Sequence, residues 1–287
     1  MKKFFKKIIC LFLIVFYFSK VDKVQSLIPY YYFPTTRNLQ KESLSIAKEA
    51  YQLLYYGQYK ESLSLARLAI KINKTDAKLW LILSEAQVAN KLYTKGLSSL
   101  NEAQKINPNI SEIYFAKSNI YFKIEQFQNA KKALKTGLSF EPNNYKAIFQ
   151  LGNILLMEKN YSEAINIFDK SVKIKPDFWQ GINNKGLAYF EQNNINLSIK
   201  LFEKAISIQD NAEPILGLAS CLRKKNIKLA IQLAKKALKK DPNYVSYEYR
   251  KEQLWGEKLQ ASTEILLQND QLQADVILAK AKINESS

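Results

Sequence analysis

Residues 145–178 read YKAIFQLGNILLMEKNYSEAINIFDKSVKIKPDF, and the same pattern of residue kinds stands 34 residues earlier and 34 later. Counting Tyr145 as the first position, Ile148, Leu151, Gly152, Ala164, Phe168, Ser171 and Pro176 fall at positions 4, 7, 8, 20, 24, 27 and 32. In residues 111–144 those slots hold Tyr114, Lys117, Ser118, Ala130, Leu134, Gly137 and Pro142. In residues 77–110 they hold Trp80, Leu83, Ser84, Gly96, Leu100, Ala103 and Pro108. Large residues at 4, 11 and 24 fill the space between two antiparallel helices. Small residues at 8, 20 and 27 let their backbones approach closely. Proline at 32 has no N–H to give the preceding helix and ends it. Asn109, Asn143 and Asp177 follow the prolines and favour turns.

Weaker copies flank these three. Residues 43–76 keep Ser62, Ala66 and Ala69 in the second helix. Residues 179–212 keep Ile182, Gly186, Tyr189, Ser198, Phe202 and Ala205, with Asp210 in place of the proline. Residues 213–244 keep Ala219, Ala230, Ala234, Ala237 and Pro242 and are one residue short in the turn. Six units over 43–244 resemble the tetratricopeptide repeat (TPR), a helix–turn–helix of about 34 residues. The resemblance implies an all-α, right-handed superhelical solenoid of antiparallel helix pairs, whose ends need capping. Most of the aromatic and alanine residues named above are then packing, not a site.

The family's first helices line a concave groove, with positions 2, 5, 9 and 12 facing it. Carried onto this chain, that implies a peptide-binding groove of Phe115, Asn119, Phe122, Lys146, Phe149, Asn153 and Asn183, extended by Asn184. Asn119 and Asn153 share position 9 of consecutive repeats. A side-chain amide both donates and accepts, so such a row suits an extended peptide backbone. Phe115, Phe122 and Phe149 are expected to supply apolar pockets beside it. Lys146 stands where some family members grip a carboxylate, but Phe149 at position 5 breaks that clamp. The bland alternative is that the asparagines are ordinary groove surface.

The termini do not follow the repeat. Residues 1–26 begin with a lysine-rich Met1–Lys7 and an apolar run of eleven residues from Ile8 to Phe18. That is the pattern of a signal peptide, shorter than the roughly 20 apolar residues that span a bilayer. An uncleaved anchor formed by 8–18 is the rival reading. Residues 27–42 form an aromatic and proline-bearing segment, with Pro29 and Pro34 framing Tyr30, Tyr31, Tyr32 and Phe33. It is expected to be extended, either covering the first repeat or docking on a partner. Residues 245–287 are expected to form capping helices, Val245 to Gln268 and Asp270 to Ile283, with Trp255 as the anchor. Leader, aromatic strip, array and tail together resemble exported cyanobacterial TPR proteins, which implies the periplasm or thylakoid lumen, or a tether to the membrane.

Net charge is +17. One stretch concentrates it: Arg223, Lys224, Lys225, Lys228, Lys235, Lys236, Lys239 and Lys240 stand against Glu213 and Asp241. This basic patch is either a solvated outer face or a surface for an acidic partner or an anionic membrane. No nucleic-acid motif accompanies it. The chain has no histidine, which removes the commonest general base and most zinc sites. Cys221 is the single cysteine beyond the leader and is expected to be a buried apolar residue. No phosphate loop or dinucleotide fingerprint is present. The expected function is therefore non-catalytic, without cofactor or small-molecule substrate: a scaffold for protein or peptide partners, or a membrane-anchored assembly factor.

Overall fold

The computed structural model describes residues 35–285, and from Glu42 onward they form one compact unit. Among the described residues there is no strand. Twelve helices pair in order: α1 (Thr36–Tyr55) with α2 (Tyr59–Ile72), α3 (Ala77–Ala89) with α4 (Tyr93–Ile106), and α5 (Ser111–Lys123) with α6 (Phe127–Phe140). Then come α7 (Tyr145–Met157) with α8 (Tyr161–Ile174), α9 (Trp179–Glu191) with α10 (Ile195–Ile208), and α11 (Ala212–Leu222) with α12 (Ile227–Lys240). Each pair packs on the next, as in a solenoid. The first helix of each pair is called A below and the second B.

Spacing explains the pairing. The small residues at positions 8 and 20 bring the helices together, and in three repeats a serine there also bonds across the pair. Ser62 Oγ donates to the Ala50 carbonyl at 2.7 Å, Ser84 Oγ to Gly96 at 3.0 Å, and Ser198 Oγ to Gly186 at 2.9 Å. Position 15, in the turn between A and B, takes a left-handed backbone in five repeats: Gly57, Lys91, Glu125, Lys159 and Asn193 all have φ between 59° and 74°. The amide after it reaches back to close the A helix, as Leu92 N does to Gln87 O at 2.8 Å and Asn160 N to Leu155 O at 2.8 Å. The sixth repeat lacks this residue. Its A helix is shorter, and Arg223 stays right-handed with φ −46°.

Two departures from the sequence expectations concern the ends. Helix α1 begins at Thr36, so residues 36–42 of the segment expected to be extended are helical. Residues 1–34, with the leader and the aromatic strip, lie outside the described residues. The helix expected from Val245 to Gln268 is broken. A 3₁₀ turn (Pro242–Val245) leads into α13 (Tyr247–Glu252), then a bend, then α14 (Glu257–Leu267); a second 3₁₀ turn (Asp270–Leu272) leads into α15 (Gln273–Glu285). The break falls at Leu254, whose φ is +67°. Gly256 follows at a place with no room for a side chain: a Cβ there would lie 2.3 Å from Cδ of Glu191. No helix among the described residues is long and apolar enough to cross a membrane.

Candidate peptide-binding trough and the tail that crosses it

The A helices present their ninth positions in a row: Glu85, Asn119, Asn153 and Leu187. Asn119 is exposed, and its amide has no hydrogen-bond partner among the described residues. Lys146 is likewise exposed and unpaired. Glu85 is open to water at one side, yet the surrounding protein holds its carboxyl above the usual carboxylate range by desolvation.

The aromatic residues behave differently from the expectation. Phe115 turns onto its own B helix, where its ring occupies the space a Cβ on Gly137 would need. Phe149 packs on Phe168 and Phe178, with ring centroids 5.7 and 5.0 Å away. Phe122 lies 5.8 Å from Phe127. All three are half-buried. Each is thus engaged in packing within the array.

Asn183 and Asn184 require a correction. Both are buried, and neither is groove surface. Asn184 Nδ2 donates to Asn153 Oδ1 at 2.9 Å, and Asn183 Nδ2 donates to Asn184 Oδ1 at 3.0 Å and to Glu213 Oε1 at 2.9 Å. Trp255 Nε1 also points to Glu213 Oε1, at 3.4 Å. A polar ladder thus runs from the trough at Asn153 inward to the tail at Trp255. It leaves Asn153 an unpaired NH₂. Burial pushes the Glu213 carboxyl up to about 7, against the lowering effect of the Asn183, Trp255 and Tyr244 donors.

The tail causes this burial. Helix α14 packs on α11 and reaches back to α9. The Glu191 carboxylate, at the end of α9, accepts from Leu259 N at 3.0 Å and Lys258 N at 3.3 Å. Lys159, in the turn of the fourth repeat, bonds Glu257 at 2.8 Å. The tail therefore covers the A-helix face of repeats five and six. It is anchored by Trp255, Leu259, Leu266 and Leu267, which join the same core as Phe168 and Phe202. Arg250 is fully buried and pinned by Gln260 Oε1 at 2.8 Å, Tyr244 O at 2.7 Å, Val245 O at 3.1 Å and Glu264. A buried cation with this many acceptors marks a fixed element. The segment expected to cap the array packs against the A helices of repeats five and six.

The basic stretch divides in two. On α12, Lys236 and Lys240 both pair with Asp210 at 2.8 Å, and Lys235 pairs with Asp275 at 3.2 Å. Lys239 stands exposed beside them. Arg223, Lys224, Lys225 and Lys228, in and after the turn, have no carboxylate partner among the described residues. Cys221 is buried and its thiol is pushed up to about 12, so it stays neutral.

Tetratricopeptide-repeat family models match residues 122–180 and 180–211. These matches show tetratricopeptide repeats over residues 122–211, and the paired helices on either side continue the same solenoid. Among solved structures it is similar to PilF of Pseudomonas aeruginosa, at 14% identity, covering 75% of this chain and 98% of that one with a TM-score of 0.62. It is similar to Cut9 in the APC/C Cut9–Hcn1 hetero-tetramer, at 13% identity, covering 81% and 46% with a TM-score of 0.64. It is also similar to MamA from Desulfovibrio magneticus RS-1, at 17% identity, covering 61% and 98% with a TM-score of 0.53. At these identities the likeness is one of fold. No curated protein matches by sequence.

Proposed function

We propose that this protein is a non-catalytic scaffold that holds an extended peptide segment along the A helices of repeats two to four. The tail takes up the corresponding face of repeats five and six, so the open trough is short. The observation that carries this reading is the row of unspent polar groups at one repeat slot. Among the described residues the Asn119 amide and the Asn153 NH₂ have no hydrogen-bond partner, and Glu85 is desolvated without one. Polar groups left unbonded among the described residues are available to a peptide backbone, and the half-buried rings beside them offer apolar edges.

The test is a peptide selected from a displayed library on the full chain, then titrated into the Asn119→Ala, Asn153→Ala double variant. Affinity is expected to fall by about tenfold or more, two backbone hydrogen bonds at roughly 1 kcal/mol each, with helicity unchanged. Unaltered affinity would remove the site.

The leader-like residues 1–26 support action outside the cytoplasm, either released or tethered as an assembly factor for a membrane complex. Sequencing the N-terminus of the protein from its host separates these. A start near Leu27 means export and release, a start at Met1 means a retained anchor.

A further inference from the structure

The back-folded tail creates a second site that no repeat motif specifies. A cleft of about 470 Å³ opens where α14 crosses the turns of repeats five and six. Its floor is apolar: Phe190, Ile195 and the neutral Cys221, with Ile265 on the rim at 52% exposure. Its walls carry four cations, Arg223, Lys224, Lys225 and Lys258, and the lining contains no carboxylate.

These cations differ from Lys235, Lys236 and Lys240 of α12, which are paired with carboxylates. Neutral acceptors hold three of them: Arg223 Nε on Ser262 Oγ, Lys225 Nζ on Asn196 Oδ1, and Lys258 Nζ on the Glu191 carbonyl. None forms an ion pair among the described residues. The carboxylates of the flanking helices are engaged elsewhere, Glu191 on the backbone of α14 and Glu264 on Arg250. Four like charges thus gather over an apolar floor with no carboxylate in the lining. On α12, by contrast, Asp210 alone serves two lysines.

We infer that this cleft binds an amphiphilic anion, a phosphate head carried on a short apolar body. The head meets the four cations and the body lies on Phe190, Ile195 and Ile265. A phosphate suits the site better than a carboxylate because a dianion engages more of the unpaired charges, and Arg offers it a two-pronged donor. This site is independent of the peptide trough, which lies on earlier repeats.

Calorimetric titration of the full chain at low salt tests it with octyl phosphate, octanol and inorganic phosphate. Octyl phosphate is expected to bind at least roughly tenfold more tightly than either half alone, because charge and apolar body act together. Lys224→Gln with Lys225→Gln, both exposed positions, is expected to weaken octyl phosphate by a similar factor without loss of helicity. Ile265→Asp, which sets a carboxylate on the rim, is expected to abolish binding. Co-sedimentation with phosphatidylcholine vesicles, with and without phosphatidate, identifies the source. Capture by phosphatidate vesicles assigns the head to a membrane lipid, and binding of octyl phosphate without capture assigns it to a free amphiphile. Either supports the site. Equal binding of octanol or of inorganic phosphate, no binding of octyl phosphate, or an unchanged affinity in the lysine double variant overturns it.

Discussion

Glu213 concentrates the conflict between burial and charge in this fold. Three donors favour its carboxylate, but desolvation outweighs them and raises the group from 4.5 to about 7. The sign of the consequence follows from proton counting. Between those two values the folded chain holds a proton that the unfolded chain has already released. Stability therefore falls as pH rises from about 4.5 to about 7 and levels off above, by on the order of 3 kcal/mol. The lowered carboxylates on the surface, such as Glu141 and Asp210, act in the opposite direction and only below their ordinary range, so the windows separate. Glu213→Gln keeps an acceptor for Asn183 and Trp255 and has no proton to lose. Denaturation midpoints measured from pH 4.5 to 8 are expected to slope down for the wild type and less steeply for this variant, in which Glu85 is left as a raised carboxyl; the variant becomes the more stable of the two above pH 7. A variant that keeps the wild-type slope would assign the effect to another group.

Helix pairs are set by their smallest residues, and two glycines show how unequal such slots are. A Cβ on Gly152 would lie 2.4 Å from the Phe168 ring, which is fully buried and has nowhere to go. A Cβ on Gly96 would first meet the flexible Cδ1 of Ile120, at 3.0 Å. Alanine gains about 1 kcal/mol over glycine within a helix, while overpacking a filled core costs about 1–3 kcal/mol. Gly152→Ala is expected to destabilise by about 1–2 kcal/mol and Gly96→Ala to be near neutral, read as shifts in the denaturation midpoint. The helices were legible in the sequence because position 8 or 20 is small in repeat after repeat. The site was legible only in part. An asparagine on an A helix has the same appearance in sequence whether it is exposed to solvent, as Asn119 is, or buried within the fold, as Asn183 is. The tail has no repeat register to place it. Its landing point depends on Leu254 turning left-handed and on Gly256 fitting against Glu191, contacts between residues far apart in sequence. The signals that would have helped were an acidic residue, Glu213, opening an otherwise apolar A helix, and a Trp-Gly pair interrupting a helical pattern.

Across the whole array the apolar core is uneven. A single large cluster joins repeats four to six with the tail, from Leu155 to Ala279, while three small clusters serve repeats one to four. In a stack where each unit contacts only its neighbours, local stability follows the local interface. The tail breaks that rule at one end, because α14 reaches past α11 of repeat six to α9 of repeat five, a unit it does not directly follow. Amide exchange is therefore expected to be slowest in α7 to α14 and faster in α1 to α4. Ending the chain after Ser246 sharpens the test. It removes Trp255, Leu259, Leu266, Leu267 and Leu272, and exposes both the buried Glu213–Asn183 pair and the apolar faces of α11 and α12 that the tail covers. Loss of helical signal is then expected to exceed what the deleted residues contribute, with α9 to α12 losing protection while α3 to α6 keep theirs. A truncated chain whose remaining helices stay fully protected would show that the tail merely rests on a solenoid that is complete without it.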